Sequence, residues 1–212
     1  MAAQRTSKRP TAAVIIGAAI AIVALSLTGC SSQGASITGR PSASQAAPTP
    51  HSTEVNPSGD IPDNQAYVAF TASDGAFSVK VPEGWARTSS GSMTSFTDKL
   101  NMITVDQKAA SAAPTVASAK QGEVVALSSS EPKFTLTDVK TFTRAGGGGI
   151  MITFQSDSPV NPVTGSVVRN EVEQYLFWKG GQQVSLTLTS PKGSDNVDPW
   201  AQVTGSFRWL TK

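Results

Sequence analysis

The chain has 212 residues, with 17 Lys+Arg against 15 Asp+Glu for a formal net charge of +2, and it contains one cysteine and one histidine. A single thiol excludes an intramolecular disulfide, so any folded part must rely on an ordinary hydrophobic core. The near balance of charge gives no basic stripe of the kind nucleic-acid binding requires.

Arg5, Lys8 and Arg9 open the chain, and no acidic residue precedes Cys30. From Ala12 to Leu27 the sequence is almost wholly apolar, which at about 16 residues is the short edge of a membrane-crossing length. A basic lead, a moderate apolar core and small residues beyond it read as an export signal. Leu27-Thr28-Gly29-Cys30 resembles the lipobox of bacterial lipoproteins at each position. Residues 1–29 are therefore expected to be a signal peptide cut between Gly29 and Cys30. The Cys30 thiol would carry a diacylglyceryl group and its new amino group a further acyl chain such as palmitate. Several acyl chains make a stable anchor where one is marginal. The alternative is an uncleaved single-span anchor. Losing Arg5, Lys8 and Arg9 takes the 17 basic residues to 14 against 15 acidic, so the mature protein is close to neutral.

From residue 30 to residue 64, Ser, Ala, Pro, Thr and Gly dominate, and the larger apolar residues Ile37, Val55 and Ile61 stand alone. Such a stretch buries too little surface to offset its ordering entropy and is expected to be a disordered tether. Residues 65–212 then form one domain.

Within that domain, apolar residues recur with period two. Phe77, Val79 and Val81 alternate with Ser78 and Lys80; Ile150, Ile152 and Phe154 with Met151, Thr153 and Gln155; Val184, Leu186 and Leu188 with Ser185, Thr187 and Thr189. Val172, Leu176 and Trp178 share one side of a run from Val167 to Trp178. These are half-buried strands, joined by further strands at Leu100–Val105 and Phe134–Phe142. The change of parity between Leu136 and Val139 suggests a bulge. Gly180-Gly181 reads as a two-residue hairpin turn, and Gly146–Gly149 as a flexible hairpin. One helix is expected from about Pro114 through Val116, Lys120, Val124 and Leu127. Another begins near Asp195 to Pro199 and carries Trp200, Val203, Phe207 and Leu210 as a stripe, with Asp195 and Asp198 near its N-terminus and Gly205 packed closely. The fold class is α+β: an antiparallel β-sheet with packed helices.

Phe77-Ser78-Val79-Lys80-Val81-Pro82-Glu83-Gly84-Trp85 resembles the opening of the Mog1/PsbP-like superfamily, and Gly205-Ser206-Phe207-Arg208-Trp209 resembles its terminal segment. The resemblance covers roughly Tyr67 to Leu210. It implies an antiparallel sheet between helices and a non-catalytic protein that binds or scaffolds others, and it transfers no functional residues. One departure stands out: Ser185, Thr187, Thr189, Thr153 and Gln155 suggest a polar sheet face, where a sandwiched sheet is apolar on both sides.

No catalytic constellation emerges. The sole histidine, His51, lies in the tether, so a Ser-His-acid triad and the commonest zinc sites are excluded from the domain, and no metal or cofactor is expected. Glu171 and Glu173 share one side of a strand, yet neighbours on one strand seldom flank a scissile bond from both sides, and a solvated charge stripe is the reading taken. Gly146–Gly149 lacks the Lys-Ser/Thr of a phosphate loop. Tyr175 and Phe177, on the opposite parity from Val172 and Leu176, are candidate partner contacts beside Glu173. The expectation is a non-enzymatic lipoprotein on the extracytoplasmic face of the cell membrane, anchored at Cys30 and binding another envelope protein. The alternative is a carrier or sensor holding a small apolar or lipidic ligand in a closed cavity near Trp85, Trp178 and the last helix.

Overall fold

In the computed structural model, which describes residues 58–210, the elements follow the order β1 (Tyr67–Thr71), β2 (Phe77–Pro82), β3 (Ala86–Ser90), β4 (Met93–Asp98), β5 (Asn101–Ala109), α1 (Val116–Gln121), α2 (Glu123–Ser130), β6 (Thr135–Arg144), β7 (Gly147–Asp157), β8 (Arg169–Lys179), β9 (Gln182–Pro191), α3 (Val197–Ser206) and β10 (Arg208–Trp209). The signal peptide, Cys30, His51 and the tether as far as residue 57 lie outside the described residues. Seven strands form one antiparallel sheet in the order β3-β4-β5-β9-β8-β7-β6, and β1-β2-β10 form a second. Among the described residues no helix is long and apolar enough to cross a membrane.

The period-two segments become β2, β7, β8 and β9, and the parity change in β6 is a register shift between Leu136 and Asp138. Gly180 and Gly181, at φ 55° and 83°, close the β8–β9 hairpin between the paired residues Lys179 and Gln182. Both positions need positive φ, which glycine adopts without a Cβ penalty.

Several expectations are corrected. The helix expected from Pro114 begins at Val116, because Thr115 and Ser118 form a reciprocal capping box, and it breaks at Gly122 into α1 and α2. The last helix ends at Ser206. Phe207 turns into the core, and Arg208 and Trp209 pair with Ser78 and Phe77 as β10, so Leu210 belongs to no helical stripe. A Cβ on Gly205 would meet open space, so close packing does not explain that residue. Gly146 and Gly149, expected in a flexible hairpin, are pressed against neighbouring backbone: a Cβ would overlap the Phe207 carbonyl at 146 and the Leu176 carbonyl at 149. Ile61, assigned to the tether, is buried in the core.

The large sheet carries two cores, one on each face and on opposite halves. On the first face Phe96, Ile103, Val105, Val184, Leu186, Leu188, Tyr175 and Phe177 pack under the small sheet and α3, through Phe70, Phe77, Val79, Val81, Trp200, Val203 and Phe207. On the second, Val139, Ile150, Ile152, Phe154, Val172 and Leu176 pack under α1 and α2 through Ala119, Val116, Val124 and Leu127. The register makes the inversion explicit. One cross-strand row on the second face runs Ile152, Gln174, Thr187, Thr104, Ser95, from apolar to polar. The adjacent row on the first face runs Thr153, Glu173, Leu188, Ile103, Phe96, from polar to apolar. Residues paired across strands share a face. Thr153 and Gln155 therefore lie on the face opposite Ser185, Thr187 and Thr189. The single polar face expected from sequence is two polar patches on opposite faces, with Ser185 and Thr189 buried and Thr153, Gln155 and Thr187 partly so.

Candidate functional site

Tyr175 and Phe177, expected as surface contacts, are 3% and 0% exposed. Phe177 stacks on Phe207 at 3.9 Å between centroids, and Phe142 meets both Phe177 and Tyr175 edge-on. Their parity points them under α3 and the small sheet, where no partner reaches them, so the proposed contact pair is withdrawn. The Tyr175 hydroxyl donates to Glu173 Oε2 at 2.8 Å. Burial first, then the Glu173 charge, pushes this phenol well above its ordinary range. Glu173 is half-buried and bound within the fold in this way, whereas Glu171 is exposed.

Trp85, Trp178 and the last helix, expected to enclose an internal ligand, do not come together. Trp85 packs edge-on against Trp200, while Trp178 lies on the other face of the sheet and donates from Nε1 to the Ala110 carbonyl. The residues between α3 and the sheet, among them Val203, Phe207, Val184 and Leu186, are wholly buried.

Two hollows occupy the polar halves instead. On the first face, Thr153, Gln155, Glu171, Glu173, Ser194 and Trp200 line a cavity of about 300 Å³. On the second face, a groove of about 490 Å³ crosses the uncovered half of the sheet. Its floor combines Thr104, Thr187, Thr189, Asn170 and Gln174 with the apolar Phe154 and Val172. Leu127 and Ser130 of α2 with Glu131 and Pro132 beyond it wall one side, and Ser158-Pro159 another. Met93 and Met102 stand at the β4–β5 side, 43% and 37% exposed. This position follows from alternation along β4 and β5: Phe96, Ile103 and Val105 point into the first core, so Met93, Met102 and Thr104 must face the other way. Met93 belongs to β4, a strand the sequence did not reveal, while Met102 lies on the polar parity of the strand expected at Leu100–Val105.

The groove's far rim is braced by ion pairs. Asp157 meets Lys133 Nζ at 2.9 Å and Arg169 Nη1 at 3.1 Å, and Arg169 also donates to the Lys133 carbonyl and to Thr135 Oγ1. The Lys133 hydrogen bond, with Arg169 beside it, holds the Asp157 carboxyl below its usual range. Among the described residues no group of three or more His, Cys, Asp or Glu is placed to hold a metal ion. The second-face groove presents methionine, proline and other apolar side chains together with hydroxyl and amide groups.

No family model matches the sequence, nor does any curated protein. Among solved structures, the chain is similar to the cyanobacterial PsbP of Synechocystis sp. PCC 6803 at 12% identity over 77% of this chain and 100% of that one, TM-score 0.48. It is similar to the Ran-binding protein Mog1p of Saccharomyces cerevisiae at 10% identity over 69% and 96%, TM-score 0.44. It is also similar to LpqN of Mycobacterium tuberculosis, a protein involved in cell envelope biogenesis, at 13% identity over 70% and 93%, TM-score 0.42. Of a Bacteroides thetaiotaomicron structure that it also matches, the chain spans 48% of the length. No residue role is carried across from any of them.

Proposed function

We propose that this chain is a non-enzymatic lipoprotein, anchored through Cys30 to the extracytoplasmic face of the cell membrane, whose domain binds another envelope protein. The observation that carries the binding role is the groove across the second sheet face. Its Met93 and Met102 are exposed beside a floor of hydroxyl and amide side chains. Methionine is unbranched and polarisable, and suits surfaces that must mould to another protein. The Leu27-Thr28-Gly29-Cys30 segment supports the anchor, and the Pro/Ser/Ala-rich stretch that follows supplies reach between anchor and domain.

The test places a photo-crosslinking amino acid at Met93 in the intact, membrane-held chain, with exposed Thr141 on edge strand β6 as control. A discrete protein adduct from position 93 and none from 141 is the expected outcome. Membranes in which neither Met93 nor Met102 yields a protein adduct would remove the protein-binding reading.

A further inference from the structure

The loop between β7 and β8, from Ser158 to Val168, contains no charged side chain. Its valines stand outward: Val160 is 63% exposed, Val163 91% and Val167 47%. Aliphatic side chains gathered on one exposed segment mark a contact with something apolar. The charge at its base is already engaged, because Asp157 pairs with Lys133 and Arg169.

The loop also supplies its own hydrogen bonds. Asn161 Oδ1 accepts from the backbone N–H groups of Val163 and Thr164 at 2.9 and 3.0 Å, and the Asn161 carbonyl accepts from Gly165 N–H at 2.8 Å. Ser166 N–H donates to Thr164 Oγ1, and Asn161 N–H to the Ser166 carbonyl. At the neck, Ser158 N–H donates to the Val168 carbonyl while Ser158 Oγ accepts from Val168 N–H. Pro159 and Pro162 have no N–H to satisfy. A protein surface can pair with free backbone donors, but hydrocarbon pairs with none, so a segment that enters lipid must carry its bonds with it. From Val163 to Ser166 every backbone donor of the tip is met in this way.

The loop's place in the fold names the apolar surface. It joins the end of β7 to the start of β8, at one end of the large sheet. Asn101, which opens β5 at that same end, holds the Gly59 carbonyl, one residue after the first described position. A hollow of about 470 Å³ lined by Leu100, Asn101, Val160 and Pro162 lies between the two. The chain leading back to Cys30 thus meets the domain beside the valine loop. We infer that the loop tip, Val160 and Val163 foremost, inserts into the boundary between headgroups and acyl chains of the bilayer that holds the Cys30 anchor, as a second contact that turns this end of the domain toward the membrane. This rests on the lipid-anchor reading above. The contact is aliphatic, so neutral lipid suffices for it.

Acylation of Cys30 leaves the full-length chain without a free thiol, so Val163→Cys takes a single NBD fluorophore. Exposed Lys179→Cys, at the far end of β8 and about 33 Å along it from Arg169, is the control. Each full-length chain is reconstituted into phosphatidylcholine vesicles with and without a lipid bearing a doxyl quencher on its acyl chain. The label at 163 should shift to the blue and be quenched by the doxyl lipid, and the label at 179 should do neither. Val160→Asp in the chain labelled at 163 should abolish the quenching, because a carboxylate at the tip opposes burial in hydrocarbon. Val160 and Val163 are exposed, so neither substitution disturbs the core. Three outcomes overturn the inference: no quenching at 163, equal quenching at 163 and 179, or a blue shift at 163 without doxyl quenching, which assigns the loop to a protein contact. The wild-type chain treated with the same reagent takes no label when Cys30 is acylated. A labelled wild-type chain would overturn the anchor reading, while the excess quenching at 163 over that background still decides the loop.

Discussion

Asn101 and Asn196, 95 residues apart, donate from their Nδ2 atoms to a single acceptor, the carbonyl oxygen of Gly59, each at 2.9 Å. Asn196 Oδ1 also accepts from the Ile61 backbone N–H at 2.8 Å, and both asparagines are buried. Asn196 is the N-cap residue of α3 but makes no side-chain cap, because its amide is spent on this clasp. The segment expected to be loose up to residue 64 is thus fastened from Gly59 onward, with Ile61 pressed into the core.

Asn196→Ala should cost about 2–4 kcal/mol, since it strands a buried N–H and weakens a buried carbonyl. Asn101→Ala should cost less. The double variant should lose less than the sum, because Gly59 is acceptor to both. Urea unfolding of the single and double variants checks this, and strict additivity would contradict a shared acceptor.

Gly149→Ala should destabilise by about 2–4 kcal/mol through overpacking, as the added methyl overlaps the Leu176 carbonyl across the β7–β8 ladder. Gly205→Ala, where the methyl meets open space inside α3, should instead be neutral or stabilise by up to about 1 kcal/mol. Thermal melts of the pair separate the two glycine roles; equal shifts would refute the distinction.

The Asp157 carboxyl is lowered in the folded state by Lys133 and Arg169, so the folded protein holds its charged form more tightly than the unfolded chain does. Its contribution is therefore fully present above the unfolded value of about 3.9 and is lost as pH falls through the lowered folded value. Denaturant midpoints of wild type and Asp157→Asn should differ at pH 7 and converge in acid. Curves that stay parallel to the lowest pH would show that the ion pairs do not set this titration.

Tyr175 runs in the opposite sense. Its folded value is raised by burial and by Glu173, so stability is intact below the unfolded value of about 10 and declines as pH rises beyond it. Tyr175→Phe should flatten that alkaline decline, as followed by circular dichroism. An unchanged alkaline limb would assign the loss to other groups.

On the proposed anchor, Cys30→Ser should leave Leu27-Thr28-Gly29 without an acceptor thiol beside it, so the protein remains an unlipidated precursor. Mass spectrometry of the membrane fraction should show neither the acyl mass nor the cut before residue 30. An unaltered mature mass in the variant would rule out lipid attachment at this residue.

Strand identity was largely legible in the sequence, and strand partnership was not. Phe77–Val81, Ile150–Gln155 and Val184–Thr189 advertise themselves by alternation because each has one face in a core. The strand Ala86-Arg87-Thr88-Ser89-Ser90 is exposed at all five positions on a sheet edge and carries no such contrast, and Arg208-Trp209 is too short to show one. The groove fell with them. Met93 belongs to a strand that alternation did not reveal, and Gln174 shares the parity of Val172 and Leu176, a polar residue on the side that reads as core.

Alternation also sorts the residues of a strand into two sets without saying which set meets which cover. The sequence alone determined that these segments pair as half-buried strands, that Gly180-Gly181 turns a hairpin, and that one cysteine follows an export-like segment. Only the tertiary structure decided that the two covers lie on opposite halves of opposite faces. That choice depends on register between strands such as β5 and β9, more than 70 residues apart, which places Thr104 beside Thr187 and Ile103 beside Leu188. Local chemistry fixes a strand's two sides; only long-range pairing aligns those sides across the sheet, and it is this alignment that leaves Gln174 buried at the edge of an open groove.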